Sequence, residues 1–229
     1  MAVSSLGPVG ASDSEMLERW FFSVIAGALL LIAIVGFAPN SIAIINGSKT
    51  NPEFAVHIHA AAMLSWMLLF FIQANLIRKG NKKLHTNVGR ALFLLGPIIV
   101  LLMVYLAITR FPGGERGPLI AAIQIERILL FSSFLTLGAL NRKSDPSMHK
   151  RLLLLATIIP LDAALNRMPW LPSFGLGWST PIWMPVLVLP LCVFDILKLG
   201  RIHKATAIGG GLIILFWVAI IGLLTLSRT

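Results

Sequence analysis

The chain has 229 residues, 57% of them hydrophobic and 12% charged, with a mean hydropathy of +0.87. Soluble domains hold roughly 45–50% apolar and about 25% charged residues, so this composition excludes a soluble globular protein and marks an integral membrane protein in a lipid bilayer. The formal charge of +10 does not indicate nucleic acid, because Lys and Arg gather in short loops between apolar runs and not along a patch interleaved with aromatics.

In chain order, residues 1–19 form a polar N-terminal segment without a basic start or a small-residue cleavage site. The first apolar run is therefore expected to be retained, not removed as a signal. From residue 20 to 229 the chain reads as one all-α transmembrane domain. Seven runs are long and apolar enough to span, near residues 20–38, 54–77, 86–109, 118–140, 148–168, 180–198 and 205–226. The breaks between them are rich in Gly, Pro and cations, as in RKGNKK, RFPGGERGP and NRKSDPS. The link from Met168 to Pro181 carries Trp170 and Trp178, and with Trp183 reads as an interfacial aromatic belt. Gly209–Gly211 lie inside an apolar run and are expected to serve close helix packing. The single cysteine, Cys192, excludes an internal disulfide and a Cys-built metal site in a lone chain, and reads as a small core residue.

Orientation follows from the cations. If the N-terminus is inside, thirteen of the nineteen Lys and Arg residues fall at the inner face, which favours N-in and C-out for a seven-helix polytopic bundle. On that topology His85, His149 and His203 each open a helix at the inner face. In DPSMHKRLLLLAT, Asp145 is suited to an N-cap and Pro146 to the first helical position, while Lys150 and Arg151 are expected to snorkel at the headgroups. Two helices that each offer a histidine at one depth can hold haem iron or another transition metal. His85, His149 and His203 are the candidate ligands with Asp195, and Arg90 and Arg151 are candidates to pair haem propionates.

At the outer face His57 and His59 open the second helix, two apart and so pointing to different sides. His59, Trp66 and Gln73 recur every seven residues as one polar and aromatic stripe. Gln124, Glu126 and Arg127 on the fourth helix, and Asp162, Asn166 and Arg167 on the fifth, lie at a depth where charges are expensive and pair or line a cavity. Glu126 with Arg167, or Asp162 with Arg127, are the natural pairs. The cluster reads either as a structural pairing network or as a pocket for a metal, a quinone head or a lipid headgroup.

The motifs LHTNVGR (Leu84 to Arg90), HKRLLLLAT (His149 to Thr157) and DILKLGRIHKAT (Asp195 to Thr206) resemble a family of uncharacterised seven-helix bacterial inner-membrane proteins. The resemblance implies a multi-pass protein of the bacterial inner (cytoplasmic) membrane. The arrangement is also loosely similar to b-type cytochromes and ferric-reductase-like membrane proteins, which hold haem b between histidines of neighbouring helices. Three functions remain open: a haem-binding electron-transfer protein exchanging electrons with quinol, a metal-dependent enzyme acting on lipid, and a non-catalytic accessory subunit of a larger membrane complex or a small-solute permeability protein. No phosphate-binding loop of the G-x-x-x-x-G-K-[ST] type is present.

Overall fold

The computed structural model describes residues 11–110, 114, 117–172 and 179–226. It is an all-helical bundle built from α1 (Ala11–Ile45), α2 (Phe54–Arg78), α3 (Lys82–Thr109), α4 (Gly117–Leu140), α5 (Pro146–Ile158), a 3-10 turn (Ile159–Leu161), α6 (Asp162–Leu165), α7 (Thr180–Leu199) and α8 (Lys204–Leu226). Six of these helices are long and apolar enough to cross a bilayer. The seventh span is composite. At about 1.5 Å per residue the 13 residues of α5 reach only about 20 Å, short of a hydrocarbon core of about 30 Å. The 3-10 turn around Pro160 and the single turn of α6 complete the crossing.

A broken helix inside a bilayer leaves backbone groups unpaired unless protein covers them, and this one is covered. From Arg151 to Leu165 the fifth span is almost wholly buried; Leu154, Leu155, Ala156, Ile158 and Ala164 are all at 0% exposure. It is the central rod of the bundle: α1, α4, α7 and α8 pack against it, and Trp66 of α2 reaches its Thr157. The outer faces of the other spans meet lipid. On α3, for example, Leu94, Leu101 and Ile108 recur every seven residues at 73%, 69% and 73% exposure.

The helix ends follow local chemistry. Asp145 caps α5 by accepting a hydrogen bond from the Met148 N–H at 2.9 Å. Asn81 caps α3 in the same way through the Leu84 N–H at 3.1 Å. Gly200 closes α7 with a left-handed φ of 65°. The polar N-terminal segment turns out to be helical from Ala11, because Glu18 is anchored there: its carboxylate pairs with Lys150 at the start of α5 and with Lys198 at the end of α7. Arg19 donates to the Arg78 carbonyl, and Arg78 lies 4.4 Å over the Trp20 ring. These contacts gather the cations of α1, α2, α5 and α7 at one end, called the basic end below. Trp170 is exposed, and Trp183 donates to the Pro172 carbonyl at 3.1 Å. Trp178 lies outside the described residues, as do the polar residues before Ala11.

Close packing explains two of the three consecutive glycines. A Cβ at Gly209 would sit 2.7 Å from Leu155, and one at Gly210 would sit 2.7 Å from Val188, whereas Gly211 faces open space. Cys192 is half-buried on α7 and packs against the edge of the core.

Candidate functional site

The central rod is charged at both ends, and each charge is paired. At the basic end Arg151 (1% exposed) meets Asp195 (0%) of α7, with Nε and Nη2 donating to Oδ1 at 2.8 and 2.5 Å. Arg151 does not snorkel, since its Nη1 is also held by the Ser147 carbonyl and hydroxyl at 3.0 and 2.5 Å. Asp195 uses its second oxygen to accept the His203 N–H at 3.0 Å. The His203 ring in turn accepts the Ala205 N–H at its Nδ1, 3.1 Å away, and so caps α8. Burial, aided by the nearby Arg151 charge, holds the His203 imidazole below its usual pKa, as an acceptor nitrogen requires. Arg151, Asp195 and His203 are thus engaged with one another as a structural clasp.

His85 and His149 stand apart from that clasp. His149 is half-buried on α5, and its Nδ1 lies 2.7 Å from the Gly138 carbonyl of α4. His85 on α3 is near enough to His149 for their charges to interact, and its Nδ1 is buried without a partner. Beside it is Gln73 of α2, 6% exposed, with neither amide atom hydrogen-bonded. Arg90 is exposed. Among the described residues no three His, Cys, Asp or Glu side chains converge as a metal-ligand set.

The opposite end holds a cavity of about 670 Å³. His59, Gln124, Arg127, Asp162 and Arg167 line it, together with Lys49, Glu53 and Arg110 from the loops and helix ends, while Ile44, Met63, Met103, Leu106 and Ile128 supply apolar walls. Asp162, 1% exposed, is paired with Arg127, which is one of the two pairings the sequence suggested. The other is not formed among the described contacts. Arg167 donates to the Ala163 carbonyl at 2.5 Å and lies 4.8 Å over Phe37. Glu126 is buried at 8% exposure behind this cluster, and its Oε1 is without a hydrogen bond. His59 Nδ1, Gln124 Oε1, Arg127 Nε and Asp162 Oδ1 are likewise buried and unpartnered. His57 is outside the cavity, bonded to Asn51 at 2.8 Å, and Asn166 is exposed beyond α6.

No family model, curated protein or solved structure matches this chain. What the site can do therefore follows from its own groups. Between the two polar regions stands a packed layer: Trp66 donates to the Thr157 hydroxyl at 3.2 Å and meets Phe131 edge-on at 5.2 Å. His59 and Gln73 are fourteen residues apart on α2, or about 21 Å, so the cavity and the basic end are separate sites. Lys49, Glu53 and Arg110 escaped the sequence reading because they belong to different loops and helix ends, brought to one rim only by the fold. Gln73 was visible as part of the stripe, but nothing in the sequence indicated that its amide is buried beside His85.

Proposed function

We propose that the chain is a membrane-embedded binding protein whose cavity receives the anionic head of an amphiphile. The observation that carries this reading is the lining. Four cations, Lys49, Arg110, Arg127 and Arg167, face two carboxylates, Glu53 and Asp162, around a space walled on other sides by methionine and aliphatic side chains. Clefts lined by an excess of one charge attract the opposite charge, and the apolar walls suit an acyl stem. In a bacterial inner membrane with the expected orientation, the cavity would open at the periplasmic leaflet. Thermal unfolding in neutral detergent tests the reading. Dihexanoylphosphatidylglycerol should raise the unfolding temperature saturably, more than dihexanoylphosphatidylcholine, a short-chain ubiquinone or inorganic phosphate, and Arg110→Gln should abolish the difference. A quinone response equal to or above that of the anionic lipid overturns the choice of ligand.

A second reading places a redox metal at the basic end. It is supported by the His149 Nδ1 contact to the Gly138 carbonyl, which leaves the other ring nitrogen free to coordinate, and by the unpartnered His85 Nδ1. The residues that fit haem iron or a transition ion are these two imidazoles. Asp195, Arg151 and His203 are committed to their clasp. When bound, haem would supply one-electron chemistry, and quinol or a larger membrane complex would be the electron partner. A Soret band in gently purified protein, lost in His149→Ala at equal protein level, supports haem. Stoichiometric metal without that band supports a bare ion, and neither signal removes this reading.

A further inference from the structure

Behind the lining of the cavity, next in the chain to Arg127, lies an unbalanced buried acid. Four titratable groups share this end of the bundle: Glu126 and Arg127 on α4, Asp162 on α6 and Arg167 just beyond it. His59 of α2 and Arg110 at the end of α3 face the same space, with Lys49 and Glu53 at its rim. Of the two deep carboxylates, Asp162 has Arg127 as its ion-pair partner, whereas Glu126 has no ion pair among the described contacts and leaves Oε1 buried without a hydrogen bond. Arg127 is therefore a shared resource. It lines the cavity, it holds Asp162, and it is the nearest compensating charge for Glu126.

An anion entering the cavity draws on the same guanidinium. Arg127 lines the cavity while its Nη2 is held by Asp162, so an incoming anion shares its charge with that carboxylate. The positive charge is then divided among three anions in a site of low dielectric, where an uncompensated carboxylate is strongly disfavoured. A proton on the least compensated carboxylate restores the balance. We infer that binding of an anionic head at this cavity is coupled to uptake of one proton by the Glu126 carboxyl, making the protein a proton-linked anion binder. The balance is simple: one anion and one proton enter together, the proton adds to a Glu126 oxygen, no other bond is made or broken, and the net charge of the buried cluster is unchanged. The inference rests on the proposed anionic ligand and deepens it.

Calorimetric titration with dihexanoylphosphatidylglycerol, whose phosphodiester stays singly charged across neutral pH, separates the two ideas. Performed in two buffers of different ionisation enthalpy, it reads the number of protons taken up per lipid. At alkaline pH, with Glu126 ionised before the lipid is added, wild-type protein should take up about one. Its affinity should rise by up to tenfold per pH unit as pH falls until the acid is already protonated in the free protein, where both effects vanish. Glu126→Gln, which imitates the protonated acid, should bind with uptake near zero and an affinity flat in pH. His59→Gln should keep the uptake. Binding without proton uptake in the wild type even at alkaline pH overturns the inference but leaves the anionic ligand standing. Uptake that survives Glu126→Gln and disappears in His59→Gln overturns it by moving the proton to the imidazole. No binding at any pH removes the ligand assignment and the inference with it. Should Glu126→Gln fail to fold, the two-buffer measurement on the wild type still decides whether a proton moves.

Discussion

Arg151→Met should be among the most damaging single substitutions in the chain. The guanidinium it removes makes two hydrogen bonds to Asp195 and two to Ser147 in a site of 0–1% exposure. The carboxylate left behind is buried against the central rod and keeps the His203 N–H among its described contacts. Breaking a buried pair by removing one partner costs roughly 3–5 kcal/mol. At about 2–4 °C per kcal/mol for a chain of this size, the unfolding temperature in neutral detergent should fall by about 6–20 °C. Asp195→Leu should fall at least as far, since it strands both the guanidinium and the His203 N–H. The double variant tells the mechanism apart from general damage. With both charges replaced by apolar groups the desolvation penalty disappears as well, and the pair of substitutions should cost far less than the two single losses added together. Thermal unfolding followed by tryptophan fluorescence on the four proteins closes the cycle. Additive losses would refute the argument that these two charges depend on each other.

Gly36→Ala should destabilise by about 1–3 kcal/mol, because its Cβ would lie 2.6 Å from the Ala164 carbonyl oxygen, a backbone atom that cannot step aside; Gly211→Ala, facing open space, should be neutral or stabilising in the same thermal assay. Acidification should weaken the α7–α8 junction. The His203 pKa is held down in the folded chain, so protons bind the unfolded state more tightly and stability falls as pH drops through the usual histidine range near 6.5. Removing the titrating cap in His203→Asn should flatten thermal stability between about pH 5 and 8; an unchanged slope would place the pH dependence elsewhere. Reporter fusions after Lys82 and after Ser144 should both score cytoplasmic, and a periplasmic signal from either defeats the N-in assignment.

Much of the architecture is legible in the chain because spanning helices announce themselves by length and composition. The Arg127–Asp162 pair is legible for a related reason: charges so deep in apolar runs have few available partners. The centrality of the fifth span is not. HKRLLLLATIIPLDAALNR is apolar on every side, and so is α8; in a membrane an apolar face can meet lipid or protein equally well, so periodicity does not reveal which helix is enclosed. The same ambiguity conceals Arg151. It follows Lys150 at a helix start, where both read as headgroup cations, yet neighbouring positions point about 100° apart. Lys150 turns to Glu18 on α1 and Arg151 turns inward to Asp195. The grouping of His203 with the metal-site candidates failed for a different reason. Shared depth was visible in the sequence, but the short α7–α8 turn commits that ring to capping its own helix.

The contact between Gly36 and Ala164 has a mechanical meaning. With no side chain between them, α1 rests directly on the carbonyl of the residue after Ala163, which forms part of the cavity wall. A ligand that pushes Asp162 and Ala163 aside therefore meets the stiffness of a 35-residue helix. Because that helix is tied at its far end through Glu18 to Lys150 and Lys198, it behaves as a lever resting on a glycine fulcrum. One helix thus joins the wall of the cavity to the salt bridges of the basic end.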